Sequence, residues 1–141
     1  LVSSPYAGSW FGAIPHGEKG AIFYGLRGNI YATDDLASLK TEDPDEWDEF
    51  GVESVTDADQ LAEMGWRKLD TNSNTTFFNG IAMDDGRSAV VGVAGAAFII
   101  DADATSARRV NNPRRLDLGG VTARGGKLYA VGYDGIHVLQ P

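Results

Sequence analysis

Six arginines carry the most obvious chemistry in this chain. Arg108-Arg109 and Arg114-Arg115 flank Asn111-Asn112-Pro113, and Arg27 and Arg124 stand beside glycines in turn-like stretches. Guanidinium groups grip carboxylates through paired hydrogen bonds, so such a cluster would suit a carboxylate or an acidic peptide. The plainer reading is solvated loop charge, or pairing with acids elsewhere in the chain. Asp34, Asp35, Asp84 and Asp85 offer the carboxylate oxygens that calcium takes. Asp84-Asp85-Gly86, however, is better read as a hairpin turn. Asp101-x-Asp103-x-Thr105 opens like a calcium loop, but Ser106 stands where glycine is needed and Asn112 where glutamate would close the site. No metal or cofactor is expected. His16 and His137 stand alone, and no serine–histidine–acid set or phosphate-cradling helix start is evident. There is no cysteine, so no disulfide or thiolate chemistry. The expectation is a non-enzyme that binds a partner through Arg27, Arg108, Arg109, Arg114, Arg115 and Arg124.

The elements that must position these residues repeat. Phe23-Tyr24-Gly25-Leu26-Arg27-Gly28-Asn29-Ile30-Tyr31 returns as Val90-Val91-Gly92-Val93-Ala94-Gly95-Ala96-Ala97-Phe98 and as Ala130-Val131-Gly132-Tyr133-Asp134-Gly135-Ile136-His137-Val138. Apolar residues run up to each first glycine, as in a buried strand. Two residues between glycines make a tight turn, because glycine tolerates positive φ. Each copy also has an earlier partner strand: Gly12-Ala13-Ile14, Gly80-Ile81-Ala82-Met83 and Gly120-Val121-Thr122-Ala123. Gly92 and Gly132 are 40 residues apart, the length of one four-stranded propeller blade. Gly25 and Gly92 are 67 apart, which leaves 27 residues for an insertion. The fold expected is all-β, a partial β-propeller of about three four-stranded blades, with an acidic, partly helical insertion after the first. The repeats span 1–32, 66–110 and 111–141 of a single domain, and the insertion spans 33–65. The alternative is a β-sandwich with glycine-rich turns; the shared order of the copies favours the propeller.

Within the first repeat, Trp10 and Phe11 are adjacent, so one should face inward and the other a neighbouring blade. Asp43-Pro44 reads as a helix cap with proline at the first helical position. Thr56-Asp57-Ala58-Asp59 resembles a capping box, with Gly65 as the stop. Trp47, Phe50, Leu61 and Met64 are expected to pin the insertion to the blade. Trp66-Arg67-Lys68-Leu69 reads as a strand closing the preceding blade.

The formal charge of −8 is unevenly spread. Residues 34–63 hold 12 acids and one base, and the remainder is net +3. The acidic segment repels phosphate, which argues against nucleic acid as a partner. No apolar run is long enough to span a membrane. The chain begins Leu1-Val2-Ser3-Ser4-Pro5 without methionine, which suggests a processed product or a piece of a longer protein.

Ser4-Pro5-Tyr6-Ala7-Gly8-Ser9-Trp10-Phe11-Gly12, followed by Tyr24-Gly25-Leu26-Arg27-Gly28-Asn29-Ile30-Tyr31, resembles the photosystem II stability/assembly factor-like family, whose bacterial relatives extend beyond photosynthesis. That family belongs to the BNR/Asp-box β-propellers. The resemblance implies a propeller of about seven blades, an assembly or binding role towards a protein partner, and an extracytoplasmic setting such as the periplasm of the bacterial envelope. It does not imply catalysis. The Asp box Ser/Thr-x-Asp-x-Gly-x-x-Trp is partly kept: Thr33 and Asp35 fit, while Ala37 replaces glycine and Lys40 replaces tryptophan. Asp-box propellers include sialidases, so a glycan-active fragment is a further alternative, but half a ring offers no central pocket.

Three repeats do not close a ring. Both terminal blades are then expected to expose apolar sheet faces, which favours association: either this is the C-terminal part of a longer chain, or copies assemble. A dimer would supply six repeats.

Overall fold

The structure is a computed structural model and describes residues 1–48 and 53–141. Its described residues form three antiparallel sheets. The first sheet has the order β1 (Trp10–His16), β2 (Gly20–Gly25), β3 (Ile30–Thr33) and β4 (Arg67–Leu69). The second runs β5 (Phe77–Ala82), β6 (Ser88–Gly92), β7 (Ala97–Ile100) and β8 (Ala107–Arg109). The third has three strands where four were expected: β9 (Leu118–Arg124), β10 (Lys127–Gly132) and β11 (Gly135–Leu139). Trp66-Arg67-Lys68-Leu69 does close the preceding sheet, as β4 against β3.

The three glycines at the ends of β2, β6 and β10 hold equivalent places. A Cβ on Gly25, Gly92 or Gly132 would lie 2.1, 1.9 or 2.2 Å from the carbonyl oxygen of Ser9, Thr76 or Asp117. Each of those carbonyls sits just before the first strand of its sheet. Each accepts the backbone N–H of the residue after the glycine: Leu26 at 3.2 Å, Val93 at 3.0 Å and Tyr133 at 3.4 Å. Gly25 and Gly92 have extended φ of −166° and −170°, so close approach of two backbones, not positive φ, demands glycine here. The turns that follow are of two kinds. The first two are 3₁₀ turns in which Arg27 (φ 56°) and Ala94 (φ 54°) adopt the left-handed conformation, followed by Gly28 and Gly95. The third is one residue shorter: Gly132 pairs directly with Gly135, leaving Tyr133-Asp134 as a two-residue hairpin loop.

A bulge recurs as well. The register shifts between Trp10 and Gly12 on β1, between Phe77 and Asn79 on β5, and opposite Val131 and Gly132 on β9. An extra residue in one strand turns its side chain away from the regular alternation. Phe11 and Phe78, the bulged residues of β1 and β5, are thereby half-exposed and meet edge to face with centroids 6.0 Å apart. Trp10 instead packs among Tyr6, Phe23 and Tyr31. The adjacent pair therefore divides as the sequence implied: Trp10 packs against its own sheet and Phe11 faces the next.

The sheets stack face to face through two cores. Ile14, Ile22, Tyr24, Ile30 and Leu69 of the first sheet meet Phe77, Val90, Phe98 and Ile100 of the second. Ala89, Val91, Ala97 and Ile99 of the second sheet's other face meet Leu118, Leu128, Ala130 and Leu139 of the third. The first strands of successive sheets adjoin, β1 against β5 and β5 against β9. Period-2 alternation makes this possible, since each strand supplies one face to the preceding sheet and one to the following.

The leading face of the first sheet is not bare, contrary to the expectation of two open ends. Phe23 and Tyr31 are covered by Tyr6, Leu39, Leu61, Met64 and Trp66. Leu61 is presented by α1 (Ala58–Glu63), whose N-terminal cap is the Asp57 carboxylate, accepting from Gln60 N–H at 2.9 Å. The helix thus starts one residue after the motif Thr56-Asp57 suggested. Gly65 ends it with φ 85°. Asp43 caps only a short 3₁₀ turn, Pro44–Glu46. Leu61 and Met64 do pin the insertion, whereas Trp47 is 40% exposed and stands outside the core. Phe50 lies outside the described residues.

Candidate functional site

The trailing face of the third sheet is the largest departure from the repeat. Val131 is 48% exposed, Ile136 74% and Val138 54%. With Tyr129 they form cross-strand pairs, Tyr129 opposite Val138 and Val131 opposite Ile136. Aligned on the glycines, these four positions match Ile22, Tyr24, Ile30 and Ala32 in the first sheet, and Ala89, Val91, Ala97 and Ile99 in the second. All eight of those residues are buried by the following sheet. Val131, Ile136 and Val138 thus present apolar side chains to solvent on the face that the other two sheets bury. The buried face of β11 is instead the one carried by His137 and Leu139.

The outer edge of β11 is open beside this face. Asn111, Asn112, Pro113 and Arg114 line a groove of about 550 Å³ with residues 136–140. Its polar end is a three-residue network. His137 Nε2 lies 2.5 Å from Asp134 Oδ1, and the Arg114 guanidinium donates to Asp134 Oδ2. The hydrogen bond from His137, with that from Arg114, holds the Asp134 carboxyl below the ordinary carboxylate range. Position 134 follows from the turn: the two-residue loop puts Asp134 three residues before His137, on the same side of the hairpin.

The six arginines singled out from the sequence occupy separate settings. Arg27 borders a depression with Lys68, Asp70 and Thr71. Arg108 and Arg109 are on β8, where the Arg109 guanidinium lies 5.3 Å from the Phe98 ring centroid. Arg114 is engaged by Asp134, and Arg115 is exposed in the loop before β9. Arg124 ends β9 and borders a small hollow with Asp84 and Asp85. Only Arg114 touches the open edge of β11.

The acidic positions serve local structure. Asp84-Asp85-Gly86 is the turn between β5 and β6, with Gly86 at φ 89° and Asp85 paired to Arg87. That pairing keeps the Asp85 carboxyl lower than usual. Asp101 closes its own loop by accepting from the backbone and hydroxyl groups of Thr105 and Ser106. Burial opposes its charge, yet those donors outweigh burial and depress the carboxyl well below the carboxylate range. Among the described residues, no group of three or more His, Asp or Glu side chains is arranged to hold a metal ion. No described helix is long and apolar enough to cross a membrane.

One contact was not legible in the sequence. Asp34, at the start of the acidic segment, is held by Arg67 and by His16, whose Nε2 is 3.2 Å away. Arg67 also reaches the carbonyl oxygens of Asp103 and Ala104 in the turn between β7 and β8. Comparison of the chain with protein-family models, with curated proteins and with solved structures finds no match.

Proposed function

We propose that this chain is a non-catalytic β-propeller-type module that binds a protein partner and assists assembly in the bacterial envelope. One observation carries the reading: the trailing face of the third sheet is exposed at Val131, Ile136 and Val138, where the two other sheets are covered. Desolvating such a face is worth roughly 25 cal/mol for each Å² of apolar area removed from water. The propeller arrangement is supported by three face-stacked sheets with adjoining first strands and repeated bulges. The envelope setting and the assembly role follow from the family resemblance of residues 4–12 and 24–31.

The test is a photo-crosslinking residue at Val131 in the chain exposed to an envelope extract. The expected result is an adduct with one defined protein, competed away by unlabelled chain. An adduct only with itself would favour a self-associating structural module, which the same bare face also supports. Absence of any adduct would overturn both readings.

A further inference from the structure

The first two sheets each end in a fourth strand, and those strands share a pattern. Arg67, Lys68 and Leu69 stand opposite Ala32, Tyr31 and Ile30. Arg108 and Arg109 stand opposite Ile99 and Phe98, and the next residue, Val110, donates its N–H to Ala97 O at 2.8 Å. Ile30 and Ala97 are equivalent, so Arg67 matches Arg108, Lys68 matches Arg109, and Leu69 matches Val110. The pattern is cation, cation, aliphatic. The middle cation lies over an aromatic ring of the third strand, Lys68 at 5.8 Å from Tyr31 and Arg109 at 5.3 Å from Phe98. The aliphatic residue is buried, Leu69 at 1% and Val110 at 3% exposure.

The third sheet has the receiving edge without the strand. Ile136, His137 and Val138 stand where Ile30, Tyr31 and Ala32 stand in the first sheet. A two-residue hairpin makes Gly132 and Gly135 a hydrogen-bonded pair, so His137 and Leu139 bond to β10 while the N–H and C=O of Ile136 and Val138 point to the open edge. β11 carries no Lys, Arg, Asp, Glu or Pro, whereas the outermost strands β4 and β8 each carry two cations, which discourage edge pairing.

We propose that the open edge of β11 takes an extended strand of a partner protein, antiparallel to β11 and with the cation–cation–aliphatic pattern of β4 and β8. This deepens, and rests on, the partner-binding reading above. The strand's aliphatic residue covers Ile136. Its middle cation stands opposite His137, where the Asp134 carboxylate replaces the aromatic face as the attracting group. Main-chain hydrogen bonds supply the affinity and these two side chains the selectivity, as in other strand-addition complexes. A second copy of this chain is a poor donor. Its own strands of this pattern are already paired to β3 and β7. Pairing β11 with another β11 would leave both trailing faces bare on one side of the joined sheet.

The probe is a free peptide of sequence Thr-Ser-Ala-Arg-Arg-Val-Asn, the chain's own residues 105–111, added to the full 141-residue protein. Amide hydrogen exchange is read by NMR. Exchange at Ile136 and Val138 should slow at least tenfold, with His137 and Leu139 unchanged. A peptide with both arginines replaced by glutamate should give no protection. Val138→Pro removes an N–H that points to the open edge and not to β10, so its Tm should stay within a few degrees while peptide protection is lost. The same peptide joined to Pro141 by a flexible linker raises the local concentration to the millimolar range. No protection in either form overturns the proposal, as does equal protection by the glutamate peptide. Concentration-dependent protection without peptide, accompanied by a doubled mass, overturns it in favour of a second copy. Peptide protection with no adduct at Val131 would remove the wider partner reading and keep the strand site. An adduct at Val131 without peptide protection would do the reverse.

Discussion

Arg67 holds both carboxylate oxygens of Asp34, each at 2.9 Å. The same guanidinium donates to the carbonyl oxygens of Ala104 at 2.6 Å and Asp103 at 2.8 Å. One side chain therefore fastens the start of the acidic segment to the first sheet and the first sheet to the β7–β8 turn. The arginine side of this ion pair is 29% exposed and the aspartate side 71%, so water screens it substantially.

The hydrogen bonds from Arg67, aided by His16, hold the Asp34 carboxyl lower than usual. A depressed carboxyl contributes stability that is present above its unfolded pKa of about 4 and is lost as pH falls through the folded value. Thermal melts of the wild type should lose stability below about pH 4 more steeply than Asp34→Asn, which lacks the titrating group. Equal slopes for the two proteins would show that other carboxylates dominate the acid response.

Gly92→Ala should be severely destabilising, because its Cβ would sit 1.9 Å from Thr76 O and neither backbone can retreat without breaking a strand end. Gly119, on the bulge of β9, has no atom within 4 Å of such a Cβ. Gly119→Ala should be neutral or stabilising by up to about 0.5–1 kcal/mol through the unfolded state. The contrast is read from chemical denaturation midpoints of the two variants, and similar losses in both would contradict the placement of Gly92.

Phe77 is fully buried and meets Phe98 edge to face at 5.5 Å, in the core between the first two sheets. Phe77→Ala should cost about 3–5 kcal/mol of unfolding free energy. Its neighbour Phe78, half-exposed on the bulge, should cost only about 1–2 kcal/mol on the same change, because less burial is lost. Urea titration of both variants checks the pair, and a larger loss at Phe78 would refute the bulge.

Ile136→Lys together with Val138→Lys should leave the melting temperature within a few degrees, since both side chains already stand mostly in water. Binding of a hydrophobic dye and formation of the Val131-face adduct should both fall sharply. A large stability loss would mean that these side chains support the fold itself.

Much of this architecture was legible because it is written locally. Glycine spacing and short apolar runs mark β2, β6 and β10 and the turns after them, and Trp66-Arg67-Lys68-Leu69 was readable as a closing strand. Arg108-Arg109 was read as binding charge instead, because what makes it a strand is the Phe98 ring across the sheet, a non-local partner. Asp34 and Arg67 are 33 residues apart, and nothing in either neighbourhood announces the other. Trp47 looked like an anchor by residue type, yet Tyr6 and Trp66 cover Tyr31 and Phe23 in its stead. The unequal third turn was hidden by an identical Gly-x-x-Gly spacing, since Gly135 lies in β11 and not in the loop.

The lid that α1 and Tyr6 place over Tyr31 gives the stack a direction. Building outward is blocked at the end nearest Leu1 and permitted at the end nearest Pro141. Whatever lengthens this row of sheets must join it from one side only, so a mixture of chain and partner should stop at a discrete complex and not run on into fibres.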